Sequence, residues 1–400
     1  MINRHILKYL YLNFRKYIII VLHLNMANIK VNNFNIKLLT IDPDLAKEYP
    51  EYDSSMCPAK ISFDILGINT SIANSIRRVV LDEIPNYALN TTSPYNCITI
   101  TKDTDTKIID DFITIKIRSI PIRYNINTEY INAIWELNVI NETSEPKNIF
   151  SGDLIIKNTK LPNNIFHKNI LLCQLQPFKS LHIDNIKLEN DIGRNNASFQ
   201  VIKRSMSIPI DLEEYPLEET HLLGGSQVDY SGYKESNLVS DPKQFRLSGI
   251  LNTVNTNNNS QTIDTIKLIY INACKNIIER LNIILHSIKN NDNANIILKT
   301  EKKLDSIYGC LKMFEENQTI GLLIHRFIFD TYPNESTDNQ VAVIWNYKQH
   351  EYLMEVPLKA TLNFEKTGGI QDIINISILN GIKKFNNIIK ALESSKPKIN

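Results

Sequence analysis

Two nine-residue stretches from opposite halves of the chain, "SIANSIRRV" (Ser71 to Val79) and "TIGLLIHRF" (Thr319 to Phe327), align position by position. Ile72 matches Ile320, Ile76 matches Ile324 and Arg78 matches Arg326. Ser71 and Thr319 set a hydroxyl at each helix start, and Ala73 and Gly321 set a small residue where helices can approach closely. Each copy follows a strand-like stretch and is itself followed, much later, by a long amphipathic helix. A chain that repeats this order is constrained to fold as two related half-modules, which can pair with each other.

Hydrophobic periodicity fills in the elements. Alternation predicts strands at "FNIKLLTI" (Phe34, Ile36, Leu38) and "AKISFDIL" (Ile61, Phe63, Ile65). A helix capped by Thr70 or Ser71 then carries Ile72, Ile76, Val79 and Val80 on one face and cannot continue past Pro85. Ile266, Ile269, Tyr270, Ala273, Ile277, Leu281, Ile284 and Ile288 keep a 3.6-residue face in the first long helix. In the second half a strand with Leu311 and Met313 precedes the repeated helix. The strands "VAVIWNY" and "LMEVPLKATLNF" follow, and a last helix carries Ile374, Ile378, Ile382, Phe385, Ile389 and Leu392.

Between the halves the pattern changes. "CITITKD", "IIDDFITIKIRSIPI" and "NILLCQL" are short alternating runs separated by Asn/Pro/Gly-rich turns, which predicts a mostly β insert. The organisation expected is therefore an N-terminal extension at 1–25, a first module at 26–95 and 213–288, a β-rich insert at 96–212, a linker at 289–303 and a second module at 304–400.

Composition limits function. A hydrophobic content of 43% with 22% charged residues is that of a globular protein, and a net charge of +1 supplies no global field toward nucleic acid or an anionic membrane. DNA contact, if any, is local or through a partner. Cys57, Cys97, Cys173, Cys274 and Cys310 form no CxxC pair, so we read them as reduced core thiols and expect neither a disulfide framework nor a zinc site. In the first 25 residues Arg15 and Lys16 interrupt the apolar stretch, whose longest run, Tyr17 to Leu22, is far short of the ~20 residues a bilayer requires.

Candidate chemistry is sparse. "KDTDTKIIDD" gathers Asp103, Asp105, Asp110 and Asp111, but it lacks the glycine and terminal glutamate of a calcium loop and reads as a polar hairpin turn. No P-loop, GxSxG or HExxH is present, and His167, His182, His221, His325 and His350 have no ligand spacing. We therefore expect no catalytic, cofactor-binding or metal residues in this chain. Arg77 and Arg78 stand out instead: adjacent residues are about 100° apart on a helix, so at most one of the two can face a given partner squarely, and the alternative for either is a solvated or locally paired helix face. Asn74 is open to a hydrogen bond across a helix pair or to an ordinary surface role.

The stretch "ISFDILGINTSIANSIRRVVLDEIPNYAL" closely resembles the signature of the α-like assembly subunits of cellular RNA polymerases, namely bacterial alpha, its archaeal counterpart and the third-largest subunit of the eukaryotic enzyme. "DDFITIKIRSIPI" is similar to the next element of that pattern, an acidic residue, a helix-like stretch, a basic residue and "IP", and "SGDLII" and "DPKQFRLSG" are similar to later elements. "ENQTIGLLI" resembles the "HTLGNLL" hallmark of the smaller partner in that heterodimer, the eleventh eukaryotic subunit and its archaeal counterpart, with Gln318 for the histidine and Leu322 for the asparagine. Tyr347 and His350 are similar to that family's tyrosine and histidine pair but sit one residue closer together. Fusion of both subunits resembles the arrangement in nucleocytoplasmic large DNA viruses, and abundant Asn, Ile and Lys suit an AT-rich genome.

The resemblance implies an α+β fold in which two related polymerase dimerisation modules pair within one chain. It implies a non-catalytic assembly subunit whose main partner is the second-largest polymerase subunit, with the largest and small subunits as further partners, DNA reached only through the complex, and no membrane. The interface residues it implies are Ile72, Asn74, Ile76, Arg77 and Arg78 in the first half and Thr319, Ile320, Gly321, Ile324 and Arg326 in the second. If the source is viral, the virion and the host cytoplasm are the implied sites of action. The competing expectation from the residues alone is an independent β-rich binding or virion structural protein.

Overall fold

The computed structural model describes residues 29–39, 56–90, 98–99, 107–210, 243–255, 258–290, 295–303, 306–314, 316, 318–332, 342–343, 353–361 and 369–399. The N-terminal extension, Cys97, Asp103, Asp105, His221, and the pair Tyr347 and His350 lie outside these residues.

Strands β1 (Lys30–Leu38) and β2 (Met56–Leu66) lead into helix α1 (Thr70–Asp82). Next come β3 (Asn86–Asn90), β4 (Ile98–Thr99), helix α2 (Lys107–Arg118), β5 (Ile134–Ile140), β6 (Lys147–Phe150) and β7 (Leu154–Ile156). They are followed by β8 (Leu171–Leu175), β9 (Ser180–Asp191), β10 (Ile202–Pro209), β11 (Gln244–Asn255) and the long helix α3 (Asn259–Asn290). The remainder comprises β12 (Ile296–Lys303), β13 (Ser306–Phe314), helix α4 (Gln318–Thr331), β14 (Ala342–Val343), β15 (Leu353–Thr361), helix α5 (Gly369–Ser394) and β16 (Lys398–Ile399).

One five-stranded sheet has the order β10-β11-β2-β1-β16, and its last strand comes from the other end of the chain: Asn35 and Ile36 pair in parallel with Lys398 and Ile399. The second half builds its own four-stranded sheet, β12-β13-β15-β14. Alternation sends Ile61, Phe63 and Ile65 of β2 to the buried face under the helices. Asp64 lies on the opposite face and is buried as well; directly across the strand pair Arg246 binds it, Nε to Oδ1 at 2.8 Å, and Asn33 donates to Oδ2 at 2.8 Å.

The helices bring the halves together. Helix α1 packs on α3 and α4, and α5 packs on α3 and α4. One hydrophobic core contains Ile72, Ile76 and Val79 of α1, Ile277 and Leu281 of α3, Ile320 and Ile324 of α4 and Ile378 and Phe385 of α5, along with both sheets' inner faces. At one end Lys267 Nζ donates to the carbonyls of Glu393 and Ser395; at the other Gln371 Nε2 donates to the Ile288 carbonyl at 3.1 Å, so α3 and α5 run antiparallel. Gly381 lies where the Phe327 ring of α4 presses on α5, and a Cβ there would overlap the ring.

A second core, centred on the fully buried Trp135 with Ile113, Ile117, Leu137 and Ile183, belongs to the insert. Its main sheet has the order β3-β9-β5-β7, with β4 also on β9.

Several sequence expectations need correction. The run "DDFITIKIR" is not β, as its alternation suggests, but helical, as the family resemblance implies: its backbone forms α2, so Asp110 and Asp111 belong to a helix rather than a hairpin turn. Ile113 and Ile117 share a face at either period, and the helix wins by burying that pair against the insert while leaving Ile115 63% exposed. The stretch 289–303 is not simply a linker, because Ile296–Lys303 pairs with β13 from Ile296↔Met313 to Lys303↔Ser306. Its charged composition, "KTEKK", suits an edge strand whose outer side meets solvent. Strand pairing also shifts the insert's limits: β3 lies in the insert's sheet, while β10 joins the first half's sheet through β11. Asn69, not Thr70 or Ser71, caps α1, its Oδ1 accepting from Ile72 N at 3.0 Å. Of the four cysteines described, Cys57 and Cys274 are core thiols, whereas Cys173 and Cys310 are half-buried.

Candidate subunit interface

The short repeated helices meet directly. Ile72 and Ile76 of α1 and Ile320, Gly321 and Ile324 of α4 are buried, and Thr319 is 4% exposed at the start of α4. These residues are thus drawn together inside the chain, and their 3.6-residue spacing is what places them on facing stripes. The outward positions differ. Asn74, Arg77, Arg78 and Arg326 are half-buried, and Asn74 bonds within its own helix, accepting from Arg77 Nε at 2.9 Å. Among the described residues neither Arg77 nor Arg78 has a carboxylate within salt-bridge distance. Burial lowers the Arg77 pKa, with the Arg78 charge adding to the effect and Asp82 opposing it. Arg77 and Arg78 are a concentrated pair of fork-shaped donors.

Charged clamps lie at both ends of the α1 and α4 pair. At the C-terminal end of α1, Glu83 binds Arg280 of α3, and Arg280 also binds Glu316 just before α4. Arg194, from the insert, binds the other Glu83 oxygen. Burial alone would lower the Arg280 pKa; hydrogen bonds and charge from Glu316 and Glu83 outweigh it and hold it above its ordinary value. At the opposite end Asp330 of α4 accepts from Arg326 at 2.7 Å, Lys384 of α5 at 2.7 Å and the α1 cap Asn69 at 3.0 Å. Helices α1 and α4 are therefore antiparallel, each with its C-terminal end tied to the N-terminal end of the other.

The long helices repeat as well. Ile266, Leu281 and Ile288 of α3 align in constant register with Ile370, Phe385 and Leu392 of α5, all of them buried. The same register sets Arg280 against Lys384. Each long helix thus carries a cation that reaches a carboxylate at the C-terminal end of the short helix in its own half: Arg280 to Glu83 and Lys384 to Asp330.

Sequence reasoning missed Glu83, Arg280, Glu316, Asp330 and Lys384. The available signal was the alignment of the two long helices, in which Arg280 and Lys384 are each a cation flanking the apolar stripe. Among the described residues no group of three or more His, Cys, Asp or Glu is arranged to hold a metal ion. Burial pushes the Cys274 thiol up to about 12 and the Cys173 thiol up to about 11, which favours the neutral thiol at both. His325 is held below its usual pKa by burial and then by Arg326. No described helix is long and apolar enough to cross a membrane.

No family model matches the chain. It is 30% identical over 287 residues, 70% of its own length and 75% of the relative's, to a DNA-directed RNA polymerase RPB3-11 homolog of African swine fever virus from a South African tick isolate. It is 30% identical over 318 residues, 76% of its own length and 84% of the relative's, to the protein of the same description from a Kenyan pig isolate. With an α+β fold and this identity over most of both chains, the protein belongs to the family of fused RPB3- and RPB11-like subunits of DNA-directed RNA polymerase described from a large DNA virus.

Proposed function

We propose that the chain is a non-catalytic assembly subunit of a DNA-directed RNA polymerase built from several chains. Its two halves act as a fused pseudo-heterodimer, the first like the third-largest subunit and the second like the eleventh, and this platform recruits the two large subunits that carry the active site. The observation that carries the reading is the single core joining α1 and α3 to α4 and α5, with Arg77 and Arg78 on α1 left without a carboxylate among the described residues. Such a core leaves the platform closed within one chain and its outward guanidinium groups available to another.

The main partner is the second-largest subunit, which supplies carboxylates or backbone carbonyls to Arg77 and Arg78; the largest and small subunits complete the complex. DNA is reached only through that complex, which is where the chain acts: in the virion and host cytoplasm if its source is viral. The experiment is a tagged pull-down of the chain carrying Arg77→Glu with Arg78→Glu. Association with the second-largest subunit should be lost with the circular dichroism spectrum unchanged; retained association would discard the role assigned to these arginines.

A further inference from the structure

A pocket of about 320 Å³ opens where the insert meets the first half's sheet, between the end of α2 and the β10–β11 pair. Arg118 and Lys203 line it with Ile115, Asn196, Ser198 and Asn252, and among the described residues no Asp or Glu lies on its wall. Its amides are already engaged: Asn252 donates to the Gln200 carbonyl at 2.6 Å, and Asn196 accepts from Ser198 N at 2.9 Å. These bonds fix the rim and leave the two cations to meet whatever enters. Arg118 Nε is buried and has no hydrogen-bond partner among the described residues, and a buried donor in that condition calls for an acceptor from elsewhere. At Lys203 the strand register shifts, with the next residue, Arg204, at φ 51°, a bulge of the kind that re-aims side chains.

Beside the pocket the outer face of α2 presents Phe112, 53% exposed, and Ile115, 63% exposed, three residues apart and so on one side of the helix. Lys116 Nζ lies 5.2 Å from the centre of the Phe112 ring and adds positive charge to that ridge. A free inorganic anion would satisfy the cations but leave the apolar ridge wet. A peptide carrying an acidic residue next to an apolar one satisfies both.

We propose that this pocket receives an acidic segment of another polymerase subunit, with a carboxylate on Arg118 and Lys203 and a neighbouring apolar side chain on Phe112 and Ile115. The proposal rests on the assembly reading above, and it concerns a surface distinct from Arg77 and Arg78. A photo-crosslinking residue, benzoylphenylalanine, is placed at the exposed Ser119 of the full chain, which is purified within the polymerase, irradiated and mapped by mass spectrometry. The expected adduct is on a different subunit, within a few residues of an Asp or Glu. In parallel, Arg118→Gln with Lys203→Gln should weaken retention of the chain in the polymerase under a salt wash by about tenfold or more. The melting temperature of the isolated variant should be unchanged or raised, since an unpaired buried donor has been removed.

An adduct on a basic or uncharged segment, an adduct within this chain, or no adduct on a chain that copurifies with the polymerase would overturn the proposal and leave the assembly reading intact. A lower melting temperature with unchanged retention would assign Arg118 and Lys203 a purely structural role. If the chain fails to copurify with the large subunits at all, the assembly reading and this inference fall together.

Discussion

Replacing Arg280 by methionine tests how the two halves are held. Arg280 is 16% exposed and lies between Glu83, 9% exposed, and Glu316, 17% exposed. Methionine keeps most of the aliphatic stem and removes the charge, leaving two carboxylates near each other in a poorly solvated place. Breaking a buried pair by deleting one partner costs about 3–5 kcal/mol. Arg194 still neutralises part of Glu83, so the expected loss is at the lower end, about 3 kcal/mol. The internal comparison is Arg194→Met, whose side chain is 46% exposed and solvent-screened; its loss should stay below about 1 kcal/mol. Urea unfolding followed by far-UV circular dichroism gives the two losses, and hydrogen exchange localises them. In the Arg280 variant, exchange should rise in peptides covering the end of α1 and the start of α4, with the insert core around Trp135 unaffected. An Arg280 variant no less stable than the Arg194 variant would refute the clamp.

Three further outcomes follow from particular contacts. Gly381→Ala should destabilise by up to about 2 kcal/mol, because displacing the buried Phe327 ring costs about 1–3 kcal/mol and the helix preference for alanine returns about 1 kcal/mol; a more stable variant in the same urea assay would show that the ring has room. Asp330→Asn should cost about 1–2 kcal/mol through its bonds to Arg326 and Lys384 and should raise hydrogen exchange at the first turn of α1, where Asn69 loses a charged acceptor; unchanged exchange there would contradict the link. Cys173 is raised from 9.0 to about 11, Cys274 from 9.0 to about 12 and Tyr332 from 10.0 to about 12, so the folded state holds protons that the unfolded chain has released. Their stabilisation is therefore present below pH 9 and lost between pH 9 and 12, and a denaturation midpoint that stays flat across that window would contradict it.

What the sequence disclosed was whatever had a period. The faces of α1, α3 and α5 were legible because Ile72, Ile76 and their counterparts recur at 3.6 residues over many turns. Where two periods coincide periodicity misled and only the family resemblance implied a helix: Ile113, Ile115 and Ile117 alternate like a strand, and the insert core decides that α2 buries the outer pair. Strand β12 was invisible because an edge strand tolerates the charges of "KTEKK". The ionic clamps were hidden for a different reason, since Arg280 and Glu83 are 197 residues apart and no local pattern connects them. The outward candidates Arg77 and Arg78 were found from their adjacency alone, but Asn74 bonds within its own helix, a choice that depends on side-chain geometry.

The most direct test of a platform closed within one chain is the solution mass of the isolated full-length protein, measured by light scattering over a range of concentrations. If α1 and α3 are covered by α4 and α5 of the same molecule, the mass stays at 46.0 kDa throughout. A concentration-dependent rise to twice that mass, reversed by charge changes on the facing stripes of α1 and α4, would mean that the halves pair between molecules and would contradict the account.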